Sequence, residues 1–163
     1  MTQSIVTAQP SDTAAVSAIL KEAADWCMAQ GVPLWKADEL APEHIAKEIQ
    51  DQLFHMVLDE GGIPFAVFKL QWSDTLYWPE FPVDEAAYIH RIAVKRSHAG
   101  RGVTPVILDW AVEQARAKKL KYLRLDTEAS RIRLRAVYER FGFKLHSEKQ
   151  VGPYFVARYE YAL

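Results

Sequence analysis

Ile92-Ala93-Val94-Lys95-Arg96-Ser97-His98-Ala99-Gly100-Arg101-Gly102-Val103-Thr104-Pro105 is the stretch on which the fold turns. An apolar run leads into a loop holding two glycines and the cations Lys95, Arg96 and Arg101. Beyond it Val103, Val106, Ile107, Trp110 and Ala111 recur at helical spacing, so the segment reads as strand, loop, helix. Thr104 before Pro105 reads as an N-cap followed by a first-turn proline. Glycines bring the backbone and its N–H groups close to a ligand, and a helix N-terminus attracts negative charge. Arg96 and Arg101 add cations suited to phosphate. The pattern is neither a dinucleotide-binding G-x-G-x-x-G nor a P-loop. Taken alone, it also fits an ordinary tight turn.

Upstream, Ile5-Val6-Thr7 is a short β-type run closed by Pro10. Ser11 or Asp12 can cap a helix whose inner face is Val16, Ile19, Leu20, Ala23 and Cys27, ended by Gly31 and Pro33. A second helix is expected from Pro42, with Ile45 and Ile49 inward. Phe54 to Leu58 and Ile63 to Leu70, joined by Asp59-Glu60-Gly61-Gly62, read as a hairpin. The irregular stretch Trp72 to Glu85 precedes a buried strand from Ala86 to Val94. Downstream come a helix to about Lys118, a strand at Tyr122 to Leu125, and a helical stripe (Leu134, Val137, Tyr138, Phe141) stopped by Gly142. Two strands, 143–149 and 154–161, end the chain. The unit 86–125 implies a right-handed crossover and a parallel pair, and the flanking hairpins imply antiparallel pairing. The expected fold is an α/β (α+β) mixed sheet of six or seven strands, mostly antiparallel, with helices on both faces.

The 163 residues fit one domain, 1–163, large enough to bury roughly 70% of the unfolded surface without metal or disulfide. Cys27 is the only cysteine, so no internal disulfide forms, and no Cys/His cluster has zinc-ligand spacing. No apolar run approaches the roughly 20 residues a membrane span needs. The opening Met-Thr-Gln-Ser lacks a basic segment followed by an apolar run, so a cytoplasmic location is expected. Residues 1–90 carry 4 Lys/Arg against 14 Asp/Glu, whereas residues 91–149 carry 15 against 6. Such asymmetry suits a second half that meets an anion, or simply solvated helix faces. Arg131, Arg133, Arg135, Arg140 and Lys144 are the best support for a nucleic-acid-binding module, but the pI near 6.5 and the lack of a nucleic-acid motif weigh against one, and no nucleic-acid partner is expected.

With the loop, the strand Leu123-Arg124-Leu125 and the ending Ala136-Val137-Tyr138-Glu139-Arg140-Phe141-Gly142-Phe143, the chain resembles the GNAT superfamily of acyl-coenzyme A-dependent N-acyltransferases over about residues 5–162. The family's loop pattern is [QR]-x-x-G-x-[GA]. Here Ala99 and Thr104 depart from its outer positions, and Gly100, Arg101, Gly102 and Val103 remain. The resemblance implies a central parallel pair that splays apart, with the pantetheine arm of acetyl-CoA bonded to the backbone of Ile92, Ala93 and Val94. It implies a pyrophosphate on Gly100 to Thr104. A family asparagine that contacts the cofactor is Arg131 here, a side chain able to bind phosphate instead. No metal is implied.

Tyr138 matches the tyrosine that protonates the leaving thiolate in many family members; the alternative is a tyrosine packed in the core. For the base, period-two alternation places Tyr88, His90, Ile92 and Val94 on one face. Relatives carry glutamate or histidine at the Tyr88 position and, in arylalkylamine-type members, histidine at that of His90. His90 is therefore the candidate base, with Glu85 in reserve; a satisfied structural histidine is the alternative. By resemblance the acceptor lies between the first two helices and the sheet. There Trp26, Trp35, Trp72, Tyr77 and Trp78, with Asp74, Glu80 and Asp84, suit a cationic amine, or else pack a long loop onto the core. Small amine, aminoglycoside, polyamine and peptide N-terminus all remain open. The implied reaction is direct attack of a primary amine on acetyl-CoA, since Cys27 shows no neighbouring base. A non-catalytic acyl-CoA-binding regulatory domain is the alternative. A homodimer paired through an edge strand at Phe155 to Tyr161 is compatible with the sequence, as is a monomer.

Overall fold

The computed structural model describes residues 2–163. In chain order the elements are β1 (Ser4–Thr7), α1 (Thr13–Ala29), α2 (Pro42–Gln50), β2 (Phe54–Leu58), β3 (Pro64–Gln71), β4 (Ala86–Val94), α3 (Val103–Ala117), β5 (Tyr122–Glu128), α4 (Ile132–Phe141), β6 (Lys144–Val151) and β7 (Tyr154–Ala162). The strands order as β1-β2-β3-β4-β5-β7-β6, and β4 and β5 run parallel. This is the mixed sheet expected from the alternation of hairpins and one crossover. β7 lies between β5 and β6. The expectation that Phe155 to Tyr161 forms an edge is therefore corrected: the strand is paired on both sides, and β6, carrying Lys144 and Lys149, takes the edge. Among the described residues no helix is long and apolar enough to cross a membrane.

By its contacts the chain divides into two compact units, residues 1–69 with 91–107, and 70–90 with 108–163. In the first, α1 buries Val16, Ile19 and Leu20, and α2 buries Ile45 and Ile49, against Phe54, Met56, Val67 and Ala93. The β2–β3 turn is fixed by Asp59, whose Oδ1 accepts the N–H groups of Gly61 and Ile63, each at 2.9 Å. In the second unit, the parallel ladder pairs Ala86, Ala87 and Tyr88 with Tyr122, Leu123 and Arg124. β7 then pairs antiparallel with β5 and β6. Gly142 closes α4 at φ +126°, where an added Cβ would stand 3.0 Å from the Tyr161 ring.

Arg124 is the unusual element of the second core, only 1% exposed. Its Nε donates to Glu160 at 2.8 Å, Nη1 to the Tyr88 hydroxyl at 3.1 Å and Nη2 to Glu85 at 2.9 Å. The rings of Phe81, Tyr122 and Trp78 lie 4.2, 5.0 and 5.1 Å from its guanidinium carbon. Burial opposes the charge, but the bonds to Glu160, Tyr88 and Glu85 outweigh it and hold the proton more tightly than usual. Several cations of the basic segment are thus structural, including Arg135, bonded to Tyr159 at 2.8 Å and paired with Glu148.

Candidate functional site

In the first unit the loop after β4 has the shape its composition implies. Gly100 and Gly102 take φ of +74° and +75°, and open space lies where a Cβ would stand at each. Left-handed backbone with room in front of it is what glycine permits at low cost. α3 begins at Val103, two residues before the expected first helical residue Pro105, so Thr104 lies inside the first turn instead of capping it. Arg96 stacks its guanidinium 3.8 Å from the ring centroid of Trp26, and its N–H donates to Glu22 at 2.9 Å. His98 stacks on Phe65 at 4.3 Å, and Lys95 N–H reaches the Phe65 carbonyl at 2.8 Å, anchoring the loop's start. Open backbone, two arginines and a helix N-terminus fit a pyrophosphate.

Arg91 departs from the simple strand reading. Its φ is +56°, a left-handed conformation inside β4, so period-two alternation does not carry across it. The single-face alignment of Tyr88 and His90 with Ile92 and Val94 is corrected accordingly. Ala93 is buried in the first core, whereas Ile92 and Val94 are half-buried. Arg91 itself lies over Trp35 at 5.1 Å and 3.6 Å from Glu39.

The second unit holds the acid–base groups. His90 Nε2 lies 2.9 Å from Asp74 Oδ2, and Nδ1 lies 3.5 Å from Asp126 Oδ1. Burial would raise the Asp74 pKa, but the bond and charge of His90 and the N–H groups of Tyr77 and Leu76 prevail and hold it below the usual carboxylate range. The Tyr77 ring sits 6.0 Å from that of His90. Tyr138 is 6% exposed and packs edge-on to Phe143. Burial pushes its phenol pKa well up and the charge of Asp126 adds to the rise, while Arg131 opposes it. Arg131 is the N-cap of α4, with Nε 3.9 Å from Glu128. Asp74, His90 and Asp126 are the one His/Asp group close enough to hold a cation among the described residues. One ligand atom from each of the three lies within 4.8 Å of the others. The histidine–carboxylate bond also suits proton transfer.

Two other expectations change. Glu85, the reserve base of the sequence reading, is bound through Oε2 to Arg124 at 2.9 Å, where its carboxylate neutralises a buried cation. Trp78 is 1% exposed among Phe81, Tyr88, Arg124 and Arg158, which makes it core and not a contact for an acceptor. Trp72 is covered by Lys118 at 4.4 Å, and Glu80 pairs with Arg158 at 2.6 Å. Trp26 keeps 40% exposure. Asp126 escaped the sequence reading, and Asp74 was read only as an acidic neighbour. The missing signal is pairing: β4 and β5 run parallel as far as Tyr88 and Arg124, and beyond that pair the His90 and Asp126 side chains approach to 3.5 Å.

Known proteins share the fold of this chain. The model of the acetyltransferase (GNAT) family matches residues 21–143. An uncharacterized N-acetyltransferase of Bacillus subtilis (strain 168), YesJ, is 26% identical over 141 residues, which are 82% of this chain and 77% of that one. A GNAT-family acetyltransferase of Listeria monocytogenes superposes with a TM-score of 0.83 at 21% identity, covering 99% of this chain and 95% of that one. The PaiA N-acetyltransferase of Thermoplasma acidophilum, solved in complex with coenzyme A, gives 0.75 at 16% identity, covering 99% and 100%.

Proposed function

The chain belongs to the acetyltransferase (GNAT) family, and on that premise we propose that it transfers the acetyl group of acetyl-CoA to a primary amine by direct attack. The observation that carries the reading is the pairing, in one unit, of a histidine bonded to a carboxylate with a buried, firmly protonated tyrosine. Acetyl-CoA supplies the activated acyl group. The loop Gly100 to Thr104, with Arg96 and Arg101, receives its pyrophosphate, and the Ile92–Val94 backbone receives its pantetheine arm. His90, aligned by Asp74, takes the proton the attacking nitrogen sheds. Tyr138 keeps its proton at neutral pH because burial disfavours the phenolate, and it gives that proton to the departing sulfur. Cys27 is buried in α1 and takes no covalent part. Tyr77, whose ring lies 6.0 Å from that of His90, is the aromatic group beside the base.

The test is thiol release from acetyl-CoA with 2-phenylethylamine, spermidine, kanamycin and a peptide with a free N-terminus, using wild type and Tyr138→Phe. Wild type should release thiol with at least one amine. The variant should lose roughly 100-fold in kcat, within the usual worth of a general acid. Binding of acetyl-CoA without thiol release on any of these amines would instead favour the non-catalytic acyl-CoA-binding regulator.

A further inference from the structure

Asp74 from the segment before β4, His90 on β4 and Asp126 on β5 converge within the second unit, each offering one ligand atom within 4.8 Å of the other two. The three are sheltered, with side-chain exposures of 3, 13 and 9% in that order. Asp74 is held rigidly. Its Oδ1 accepts the N–H groups of Leu76 and Tyr77 at 3.0 and 2.9 Å, which turns Oδ2 to His90 Nε2 at 2.9 Å. Asp126 Oδ1 is shut off from solvent and stands 3.5 Å from Nδ1, an ion-pair distance and not a hydrogen bond. One imidazole, even protonated, offers a single positive charge to two sheltered carboxylates. Buried charge is costly unless it is paired or coordinates a metal, and a divalent ion meets both carboxylates with the ring neutral. Neighbouring ligands on a tetrahedral ion stand roughly 3.4 Å apart, so the three atoms draw in by about an ångström, within the reach of side-chain rotation. One imidazole nitrogen with two carboxylate oxygens suits zinc or a similar transition metal, and not the all-oxygen shells that calcium and magnesium favour.

We propose that Asp74, His90 and Asp126 form a binding site for a divalent transition-metal ion of the zinc type, with the fourth position open to water. The two N–H groups on Asp74 Oδ1 are the outer partners that orient a ligating carboxylate. A bound ion takes a lone pair of the same imidazole that serves as base in the acetyl-transfer reading above. On that reading, and for this consequence alone, the ion is a reversible inhibitor: metal and reaction are exclusive uses of one ring.

Calorimetric titration of zinc chloride into the tag-free whole chain, stripped with EDTA and without acetyl-CoA, tests the site apart from the reaction. Wild type should bind one ion per chain. The isosteric Asp126→Asn and the His90→Gln variant should each bind at least about 10-fold more weakly, since even outer partners of a metal ligand are worth about 10- to 100-fold. No binding by wild type overturns the site, and so does binding undiminished in both variants, which puts the ion elsewhere. Should either variant fail to fold by circular dichroism, cobalt(II) in wild type decides. Strong visible bands of a four- or five-coordinate ion support the site, and the weak bands of the hydrated ion overturn it. Zinc should also lower thiol release, with recovery on adding EDTA. If zinc binds at these residues and thiol release is unchanged, His90 is not the base and the metal site stands. If wild type releases thiol with none of the amines, the acetyl-transfer reading has failed, and the calorimetry still decides the site.

Discussion

Arg124 and His55 show how single side chains set the stability of this chain. A guanidinium 1% exposed, bonded to Glu85, Glu160 and Tyr88, satisfies a fork that no other side chain reproduces. Arg124→Ala leaves Glu85 and Glu160 without their shared cation and should cost about 3–5 kcal/mol in urea unfolding. Arg124→Lys should recover only part, since the three donors of an ammonium sit on one nitrogen and cannot match partners bonded to the three separate nitrogens of the guanidinium. A loss under about 1 kcal/mol for Arg124→Ala would contradict this view of the core. His55 is a different case. It is 8% exposed on β2, stacked on Phe68, and burial lowers its pKa from 6.5 to about 4. The unfolded chain therefore takes the proton first on acidification. Stability from the neutral ring is fully present above pH 6.5 and is lost as the pH falls toward about 4, on the order of 3 kcal/mol in all. Melting temperature followed against pH should fall more steeply across this window in wild type than in His55→Phe; equal slopes would contradict the assignment.

At the scale of elements, the strands and helices were legible because their periodicities are strong: Ile45 and Ile49 on α2, and Val16, Ile19 and Leu20 on α1, all face the core as spaced. The glycine loop was legible too, since only glycine adopts φ near +75° cheaply at both Gly100 and Gly102. What the sequence hid was backbone and pairing geometry. Nothing about an arginine signals the left-handed turn of Arg91 inside β4, which cancels the alternation beyond it. Glu85 looked like a candidate base because its partner, Arg124, comes 39 residues later. Asp126 became visible only once β4 and β5 were in register. Gly142 supplies a prediction at this scale. With φ at +126° and Tyr161 3.0 Å from the site of a Cβ, Gly142→Ala adds both strain and a clash at the end of α4. It should cost about 1–3 kcal/mol, read as a lower urea midpoint; a neutral outcome would show that the helix end can relax.

For the molecule as a whole, family membership fixes the class of chemistry, and the residues fix where this chain departs from its relatives. Ala99 and Thr104 lack the side chains of the family loop, so in the proposed reading cofactor capture falls to backbone at Gly100 and Gly102 and to Arg96 and Arg101. The acceptor is the least legible part, because aromatic side chains give apolar surface and hold no polar pattern peculiar to one amine. The central claim is that this loop receives acetyl-CoA. Calorimetric titration of acetyl-CoA into wild type and Gly102→Glu tests it most directly, because the substitution puts a carboxylate on left-handed backbone in the open space meant for phosphate. Wild type should bind, and the variant, folded by circular dichroism, should bind at least about 10-fold more weakly, a difference of about 1.4 kcal/mol. Equal affinities would move the cofactor away from this loop, and no binding by wild type would contradict the account at its root.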